Sequence, residues 1–318
     1  MKLYFVCSDF FNYDDSIKKE LEKVGYNVEL ISEYPFGGKL IKIFNRLFFG
    51  RLNFIFDAYY KKRLESLNEE NIVFIIKGET LSSSILDEIC SKTKRVIIYQ
   101  WDALKNNCNS SRILKYSKLI TTFDPSDSCK YGLKYKALFH QVESLDNNNY
   151  EYRDFVVSFV GTVHGDRLKE INKIETFLKS KGINFFFYKY YPSKFVFYIR
   201  KVIDTRLWGV DTKAVHFRPL DYSKYKEIIA KSQNVIDFPR KVQTGYTMRT
   251  IESLASNTKI ITSADVIKEQ YRVKGGGIYH LKEFNEIKFN EFLLSKNAYV
   301  FEEFDDLKLS NWLKDILK

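Results

Sequence analysis

The segment FVVSFVGT (Phe155–Thr162) is a β-branched and aromatic run that ends in Gly161-Thr162, as a buried strand followed by a loop does. A similar run, LYFVC (Leu3–Cys7), stands near the start of the chain. Each run opens a series in which short apolar strands alternate with amphipathic helical stretches. This alternation is typical of parallel sheets covered on both faces, so the sequence predicts an α/β fold that is built twice.

The boundary between the two series is predicted at the polar, Asn-rich segment Gln141–Tyr150. The 318 residues are enough for two Rossmann-like domains, which we place at 1–142 and 143–318, facing each other across a cleft. A final helix over 302–317 is expected to pack back towards the N-terminal domain. Because ligands of such sheets bind at the carboxyl ends of the strands, the loops that follow the strands are the candidate sites.

The net charge of +11 is concentrated in two segments that are also rich in aromatic residues. Segment 36–63 carries seven basic residues and one acidic residue, and segment 185–213 carries six basic residues and two acidic ones. Residues 39–56 combine basic and large apolar side chains at helical spacing, and FVFYIRK (Phe195–Lys201) has a similar composition. These segments predict contact with an anionic membrane surface, and the alternative is two helices packed on the core with solvated lysines. Nucleic acid is not expected as a partner, because no base-stacking module is present.

Several classes of protein are disfavoured by what the sequence lacks. No apolar run reaches the roughly 18 residues of a membrane span, and the N-terminus does not resemble a signal peptide. The four cysteines form no C-x-x-C pair, so neither a zinc site nor a disulfide framework is expected. There is no phosphate-binding P-loop, no D-x-D pair for a divalent ion and no G-x-S-x-G element. We therefore expect no metal and no cofactor.

The strongest candidate site is the segment Gln243–Glu252 (QTGYTMRTIE), which follows a predicted strand and opens a helix. A helix amino end binds anions through its free N–H groups, and Arg249 and Glu252 lie on one face of that helix. These residue types suit a nucleoside diphosphate, with the arginine on phosphate and the carboxylate on ribose. The alternative is a capping threonine followed by an Arg–Glu surface pair. The donor-site residues predicted here are Gln243, Gly245, Tyr246, Thr247, Arg249 and Glu252.

A second phosphate-binding candidate is the loop after Phe155–Val160. Its glycines, Gly161 among them, permit close approach of a ligand, with Thr162 beside them. Arg167 is placed to hold a phosphate, and His164 to donate a hydrogen bond to one. The alternative is that His164 is simply a solvated loop residue.

Three predicted strands of the first half deliver a carboxylate to the same sheet edge: Asp9, Glu79 and Asp102. Asp102 follows Trp101, and a carboxylate beside an indole in a cleft is expected to have a raised pKa and to act as a general base. The alternative is that Asp102 caps the next segment. These three residues are the catalytic candidates.

The chain resembles GT-B glycosyltransferases, and within them a bacterial group for capsule and lipopolysaccharide biosynthesis that is related to spore-maturation-type and group-1 enzymes. The resemblance rests on five matching pieces: YQWD (Tyr99–Asp102), FDPSD (Phe123–Asp127), SFVGT (Ser158–Thr162), DFP (Asp237–Pro239) and QTGYTMRTIESL (Gln243–Leu254). It implies that Glu252 holds the ribose of a nucleotide-sugar donor, that Arg249 and the loop Gly245–Thr247 hold its diphosphate, and that Gly161 and Thr162 line the other side. Many retaining members carry a second glutamate where this chain has Thr244, so the anomeric outcome stays open.

The resemblance implies a metal-independent hexosyltransferase that moves a sugar from a nucleotide diphosphate sugar to a lipid-linked or surface polysaccharide. It also implies a peripheral position on the cytoplasmic face of a bacterial membrane. Two alternatives stay open: a nucleotide-sugar epimerase on the same fold, and a non-catalytic, membrane-associated assembly factor.

Overall fold

The computed structural model describes residues 1–9, 12–34, 41, 45, 50–142, 150–163, 166–204, 207–208, 212–240, 242–264, 273–274, 276–295 and 300–318. The chain forms two compact units. The first consists of Met1–Phe139, Arg240–Tyr246 and Asp305–Lys318, and the second consists of His140–Pro239 and Thr247–Phe304. The chain therefore enters the first unit three times, and one of these entries is the segment between a strand and a helix of the second unit.

The first unit is a parallel six-stranded sheet in the order β2-β1-β3-β4-β5-β6. Its strands are β1 (Lys2–Cys7), β2 (Asn27–Ser32), β3 (Ile72–Ile76), β4 (Val96–Gln100), β5 (Ile120–Thr122) and β6 (Lys134–Tyr135). Its helices are α1 (Tyr13–Lys23), α2 (Asn53–Arg63), α3 (Ser83–Lys92), α4 (Ser110–Ile113) and α5 (Pro125–Tyr131). The strand order reverses between β1 and β3, which makes the loops after these two strands the switch point of the sheet.

Strand β3 (IVFII) is buried along its whole length, as expected for a central parallel strand with helices on both faces. Its side chains and those of β1 and β4 form one apolar cluster with helices α2 and α3. After the second unit the chain returns to this unit as α12 (Leu309–Ile316). Trp312 of that helix is buried, packs edge-on against Tyr99 and donates its indole N–H to the Ala137 carbonyl at 2.8 Å.

The second unit is also a parallel six-stranded sheet, in the order β13-β11-β10-β7-β8-β9. Its strands are β7 (Phe155–Thr162), β8 (Phe185–Tyr190), β9 (Val215–His216), β10 (Ser232–Asp237), β11 (Lys259–Thr262) and β13 (Ile278–His280). Its helices are α6 (Asp166–Ser180), α7 (Lys194–Ile203), α8 (Tyr222–Ala230), α9 (Met248–Ala255) and α10 (Glu286–Leu294). The short helix α11 (Phe304–Leu307) begins on the last residue of this unit, and its other three residues belong to the first unit. A short antiparallel pair, β12 (Val273–Lys274) and β14 (Val300–Phe301), forms a separate two-stranded sheet.

The first and fourth strands of the second sheet, β7 and β10, are hydrogen-bonded neighbours, as in a Rossmann sheet. Successive crossovers run outwards in opposite directions from this pair, so the loops after β7 and β10 diverge and leave room at the sheet edge. Helix α9, which follows β10, packs there with its middle turns buried. The switch point of the second unit therefore lies at Gly161-Thr162 and Asp237.

Candidate functional site

Asp237, the last residue of β10, is buried and faces the amino end of α9. Its carboxylate accepts hydrogen bonds from the hydroxyls of Thr247 and Thr250 and from Nη1 of Arg249, the last at 3.0 Å. Thr247 is the N-cap of α9, and its Oγ1 accepts the Thr250 N–H at 3.1 Å. A single carboxylate thus positions the first turn of the helix and its arginine.

Arg249 lies beside the carboxyl end of β7. A Cβ added at Gly161 would lie 3.6 Å from its Nη1 and 3.0 Å from the ring of Phe159, so glycine keeps the strand end close to the guanidinium. Burial lowers the pKa of Arg249, but Asp237 and Tyr225 raise it and the net shift is upward. The guanidinium is therefore a permanent cation at the switch point. In the described part of the chain, the N–H groups of Met248 and Arg249 at the helix start donate to no backbone carbonyl.

Glu252 is buried one turn further along α9, and its Oε1 accepts the Tyr222 hydroxyl at 2.9 Å. Tyr225, one turn after Tyr222 on α8, stacks on that tyrosine. Burial and the negative charge of Glu252 raise the pKa of the Tyr225 hydroxyl. Helices α8 and α9 together place a carboxylate, two phenols and a guanidinium at one end of the second sheet. Such a set can hold a diphosphate on the cation and helix end, and accept hydroxyl hydrogen bonds on Glu252.

Of the other residues predicted in this unit, Thr162 is the last residue of β7, and its carbonyl oxygen accepts a hydrogen bond from Nη1 of Arg167 at 3.5 Å. Arg167 is half-buried in the first turn of α6. His164 lies outside the described residues. The structure therefore brings Gly161, Thr247, Arg249 and Glu252 together in one unit, and Arg167 of α6 contacts the last residue of β7.

Gln243, Gly245 and Tyr246 belong to the first unit. A Cβ on Gly245 would lie 2.4 Å from the carbonyl oxygen of Phe123, so the close approach that this glycine permits is to protein backbone. Asp124, the N-cap of α5, accepts the N–H groups of Thr244 and Gly245, at 2.6 and 3.3 Å. The side-chain amide of Gln243 donates to the Gly245 carbonyl at 3.1 Å. This half of the predicted motif is anchored on the first unit, and Tyr246 is buried.

The predicted catalytic edge of the first unit is organised by Lys77, which sequence reasoning left out of the site. Lys77 follows β3, is buried, and has φ 72°, in the left-handed region. Its ammonium lies 3.2 Å from Glu79 Oε2 and 3.7 Å from Asp102 Oδ2. Two of the three predicted carboxylates therefore share one buried cation.

Asp102 is partly exposed and is held from three sides. Arg240 Nη1 lies 3.6 Å from its Oδ2, and the Asn106 amide donates to its Oδ1 at 2.8 Å. Its ion-pair partners are thus two cations, Lys77 and Arg240, and the sequence places the indole of Trp101 next to it. Asp9 is exposed after β1 and forms no ion pair within the described part of the chain.

Glu79 is buried and linked to a second buried carboxylate, Glu33, which follows β2. The Glu79 N–H donates to Glu33 Oε1 at 2.6 Å, and the Thr80 hydroxyl donates to the Glu33 carbonyl at 3.1 Å. Burial, Glu79 and Glu33 raise the pKa of the neighbouring Tyr34 phenol. Glu79 is therefore buried and contacts Lys77, which also pairs with Asp102. Of these two carboxylates, Asp102 is the one that solvent reaches.

Three site residues were missed from the sequence: Asp237, Lys77 and Tyr222. Asp237 could have been found from the sequence, because it stands at the end of a predicted strand, as the catalytic candidate Asp102 stands shortly after one. Tyr222 carried none, since it lies 30 positions from its partner Glu252 on another helix.

No family model matches the chain, and no curated protein matches it in sequence. Solved structures do match it in fold. The lipopolysaccharide outer core galactosyltransferase WaaB, in its apo form, has a TM-score of 0.56 at 12% identity, over 100% of this chain and 99% of that one. The Methanocaldococcus jannaschii UDP-GlcNAc 2-epimerase, in complex with UDP-GlcNAc and UDP, has a TM-score of 0.53 at 14% identity, over 100% and 99%.

A glycosyltransferase from Rickettsia africae matches more weakly, with a TM-score of 0.46 at 13% identity over 99% of this chain and 92% of that one. Together with the two six-stranded parallel sheets, the first two likenesses confirm the predicted fold class, an α/β fold of the GT-B type. No helix among the described residues is long and apolar enough to cross a membrane.

Proposed function

We propose that this chain is a glycosyltransferase that takes a sugar from a nucleotide diphosphate sugar. The observation that carries the proposal is the start of α9, where Arg249 pairs with Asp237 at the carboxyl end of β10 and Glu252 lies one turn further along the helix. The fold likeness supports it, because the fold neighbours include a galactosyltransferase and an epimerase solved with UDP.

In the proposed reaction, Arg249 and the helix end bind the diphosphate and stabilise the negative charge that develops on it as the glycosidic bond breaks. Glu252 accepts the ribose hydroxyls, and Gly161, Thr162 and Arg167 complete the phosphate side. No metal takes part in this scheme, since the arginine and the helix supply the positive charge.

Asp102 is the proposed general base, which removes the proton of the acceptor hydroxyl. It is partly exposed at the edge of the first sheet, whereas Glu79 is buried beneath it. Asp9, exposed at the end of β1, is the second candidate. The proposed acceptor is a lipid-linked or surface glycan of the capsule or lipopolysaccharide kind, reached from the cytoplasmic face of the membrane.

Incubation of the purified chain with UDP, GDP, ADP and dTDP sugars tests the donor. One of them should raise the melting temperature, because a ligand that binds only the folded state stabilises it. Slow release of nucleoside diphosphate from that donor, unaffected by EDTA, is the expected activity. Asp102→Asn should slow the release by roughly 10²- to 10⁴-fold and leave the melting shift unchanged. No shift with any of the donors would contradict the proposal.

A nucleotide-sugar epimerase is the second candidate, because the epimerase structure is nearly as similar as the galactosyltransferase. An epimerase would convert the stabilising nucleotide sugar into its stereoisomer with no acceptor present. Chromatography of the sugar after incubation separates the two activities.

A further inference from the structure

Helix α7 (Lys194–Ile203) carries an apolar surface that faces away from its own unit. Phe197 is fully buried, with its ring centroid 5.1 Å from that of Tyr191 and 5.5 Å from that of Phe217. The other six apolar side chains of the helix are between 41 and 76% exposed: Phe195, Val196, Tyr198, Ile199, Val202 and Ile203. One aromatic ring thus attaches α7 to the core, while the rest of its apolar surface meets solvent.

Apart from Phe197, the apolar side chains of α7 lie on the side of the helix that faces solvent, which is the reverse of an ordinary surface helix. With about 100° of rotation per residue, the six exposed side chains cover the arc opposite Phe197. Lys194, Arg200 and Lys201 fall on the two flanks nearest Phe197. An ordinary surface helix turns its apolar stripe to the core and its charges to water, so α7 has the opposite arrangement.

Trp208 extends the apolar surface beyond the end of α7. Its indole is 63% exposed, although the preceding residue, Leu207, is buried and holds the chain at the body. A tryptophan and a tyrosine beside aliphatic side chains and cations are typical of the membrane–water interface, where amphipathic rings settle at the headgroup level.

We propose that α7 and Trp208 form a docking surface for anionic lipid bilayers. The apolar arc is placed to enter the headgroup region, and the three flanking cations are placed to reach lipid phosphates on either side, with their stems along the apolar surface. The net charge of +11 favours approach to such a surface. A second copy of this chain is a poorer occupant, because it carries the same net charge of +11 and the two copies would repel each other.

Co-sedimentation with lipid vesicles, in the absence of any nucleotide, tests the proposal. The chain should bind vesicles that contain phosphatidylglycerol and bind pure phosphatidylcholine at least about fivefold more weakly. The double variant Phe195→Ser, Val202→Ser should lower binding to the anionic vesicles by at least about tenfold. Its matched control is the double variant Ile287→Ser, Leu294→Ser on α10, where the two wild-type side chains are 71 and 69% exposed. This control variant should bind the anionic vesicles as strongly as the wild type does.

The charge component has its own pair of variants. Arg200→Glu should weaken binding to anionic vesicles about fivefold or more, whereas Lys288→Glu, an exposed lysine of α10, should have little effect. Circular dichroism and the nucleotide-induced melting shift should be the same in every variant, which separates this surface from the proposed donor site. Absence of binding by the wild type, or equal binding by the Phe195, Val202 variant, would overturn the proposal. A dimer in light scattering that this variant dissociates would assign the surface to a second copy instead.

Discussion

Arg249 forms an ion pair with Asp237, with 3.0 Å between Nη1 and Oδ1, while Glu252 on the same helix accepts the Tyr222 hydroxyl. The two charged residues of the motif thus have different partners, one on a strand and one on a neighbouring helix. Arg249 is held in place before any ligand arrives, and Asp237 offsets the cost of burying its charge. This arrangement permits the two residues to be tested separately.

Replacement of Arg249 should weaken the binding of both nucleoside diphosphate and inorganic pyrophosphate. Arg249→Ala removes a charge-assisted hydrogen bond of about 1.5–3 kcal/mol, so the affinity measured by calorimetry should fall by at least about tenfold. It also leaves Asp237 without its cation, so the free energy of unfolding should fall by about 1–3 kcal/mol. Arg249→Lys should recover most of the stability but not the affinity, because an ammonium lacks the planar fork. Arg218→Ala, at an exposed arginine of the same unit, is the matched control, and equal affinities in the two alanine variants would refute the assignment.

Replacement of Glu252 should affect only ligands that carry a ribose. Glu252→Gln is expected to lower the affinity for nucleoside diphosphate at least about tenfold and to leave pyrophosphate binding unchanged. Tyr222→Phe keeps the carboxylate and removes one hydrogen bond to it, so its effect on affinity should be smaller, about fivefold or less. Titration of both ligands into each variant measures the difference. An equal loss for pyrophosphate would mean that Glu252 supports the helix rather than a sugar.

Lys77 combines a buried ion pair with a left-handed backbone, and two substitutions separate these effects. Both Lys77→Ala and Lys77→Gly leave Glu79 without its buried cation, so each should lower the free energy of unfolding by about 3–5 kcal/mol. Lys77→Gly should nevertheless be the more stable by about 1 kcal/mol, because glycine adopts φ 72° without strain.

Lys94 supplies the control for this comparison, since it is exposed and outside the left-handed region. There alanine should be the more stable of the two substitutions. Urea denaturation of the four variants measures the order. Equal stability of Lys77→Ala and Lys77→Gly would show that the backbone at this position carries no strain.

Because of Lys259, the free energy of unfolding should increase with pH in the alkaline range. Burial lowers the pKa of its ammonium to about 8, although it donates to the carbonyls of Phe292 and Ser295. Below pH 8 both the folded and the unfolded chain hold the proton, and the folded state bears the cost of a buried charge. Between about pH 8 and 10.5 the folded chain has released a proton that the unfolded chain still holds, so this contribution to stability rises with pH, by about 3 kcal/mol in total.

Lys259→Met provides the comparison. It removes the titrating group, while the carbonyls that it leaves unpaired cost the same at every pH. The unfolding free energy of the wild type relative to this variant should therefore rise from about pH 8 to pH 10.5. A flat difference over this range would place the pKa of Lys259 near its ordinary value.

Much of the fold was predictable because it depends on local patterns. The strands that open the two series were expected at Leu3–Cys7 and Phe155–Val160, and they are observed at Lys2–Cys7 and Phe155–Thr162. Continuous apolar runs of this kind are typical of strands that are covered on both faces. Thr247 was expected to cap a helix, and its hydroxyl does accept the Thr250 N–H. Capping and strand formation involve neighbours within a few residues, so the sequence carries their signals directly.

The contacts that the site residues make could not be predicted from local sequence patterns. That Arg249 pairs with Asp237 and not on its own helix, that Gly245 lies against Phe123, and that Asp102 shares Lys77 with Glu79 are results of how distant segments pack. The sequence by itself determined two α/β sheets, the helix that starts at Thr247 and the chemical character of the candidate loops. Only the tertiary structure decided which charges meet, and that α7 turns its apolar side outwards, because ion pairing and burial depend on three-dimensional neighbours that no local spacing encodes.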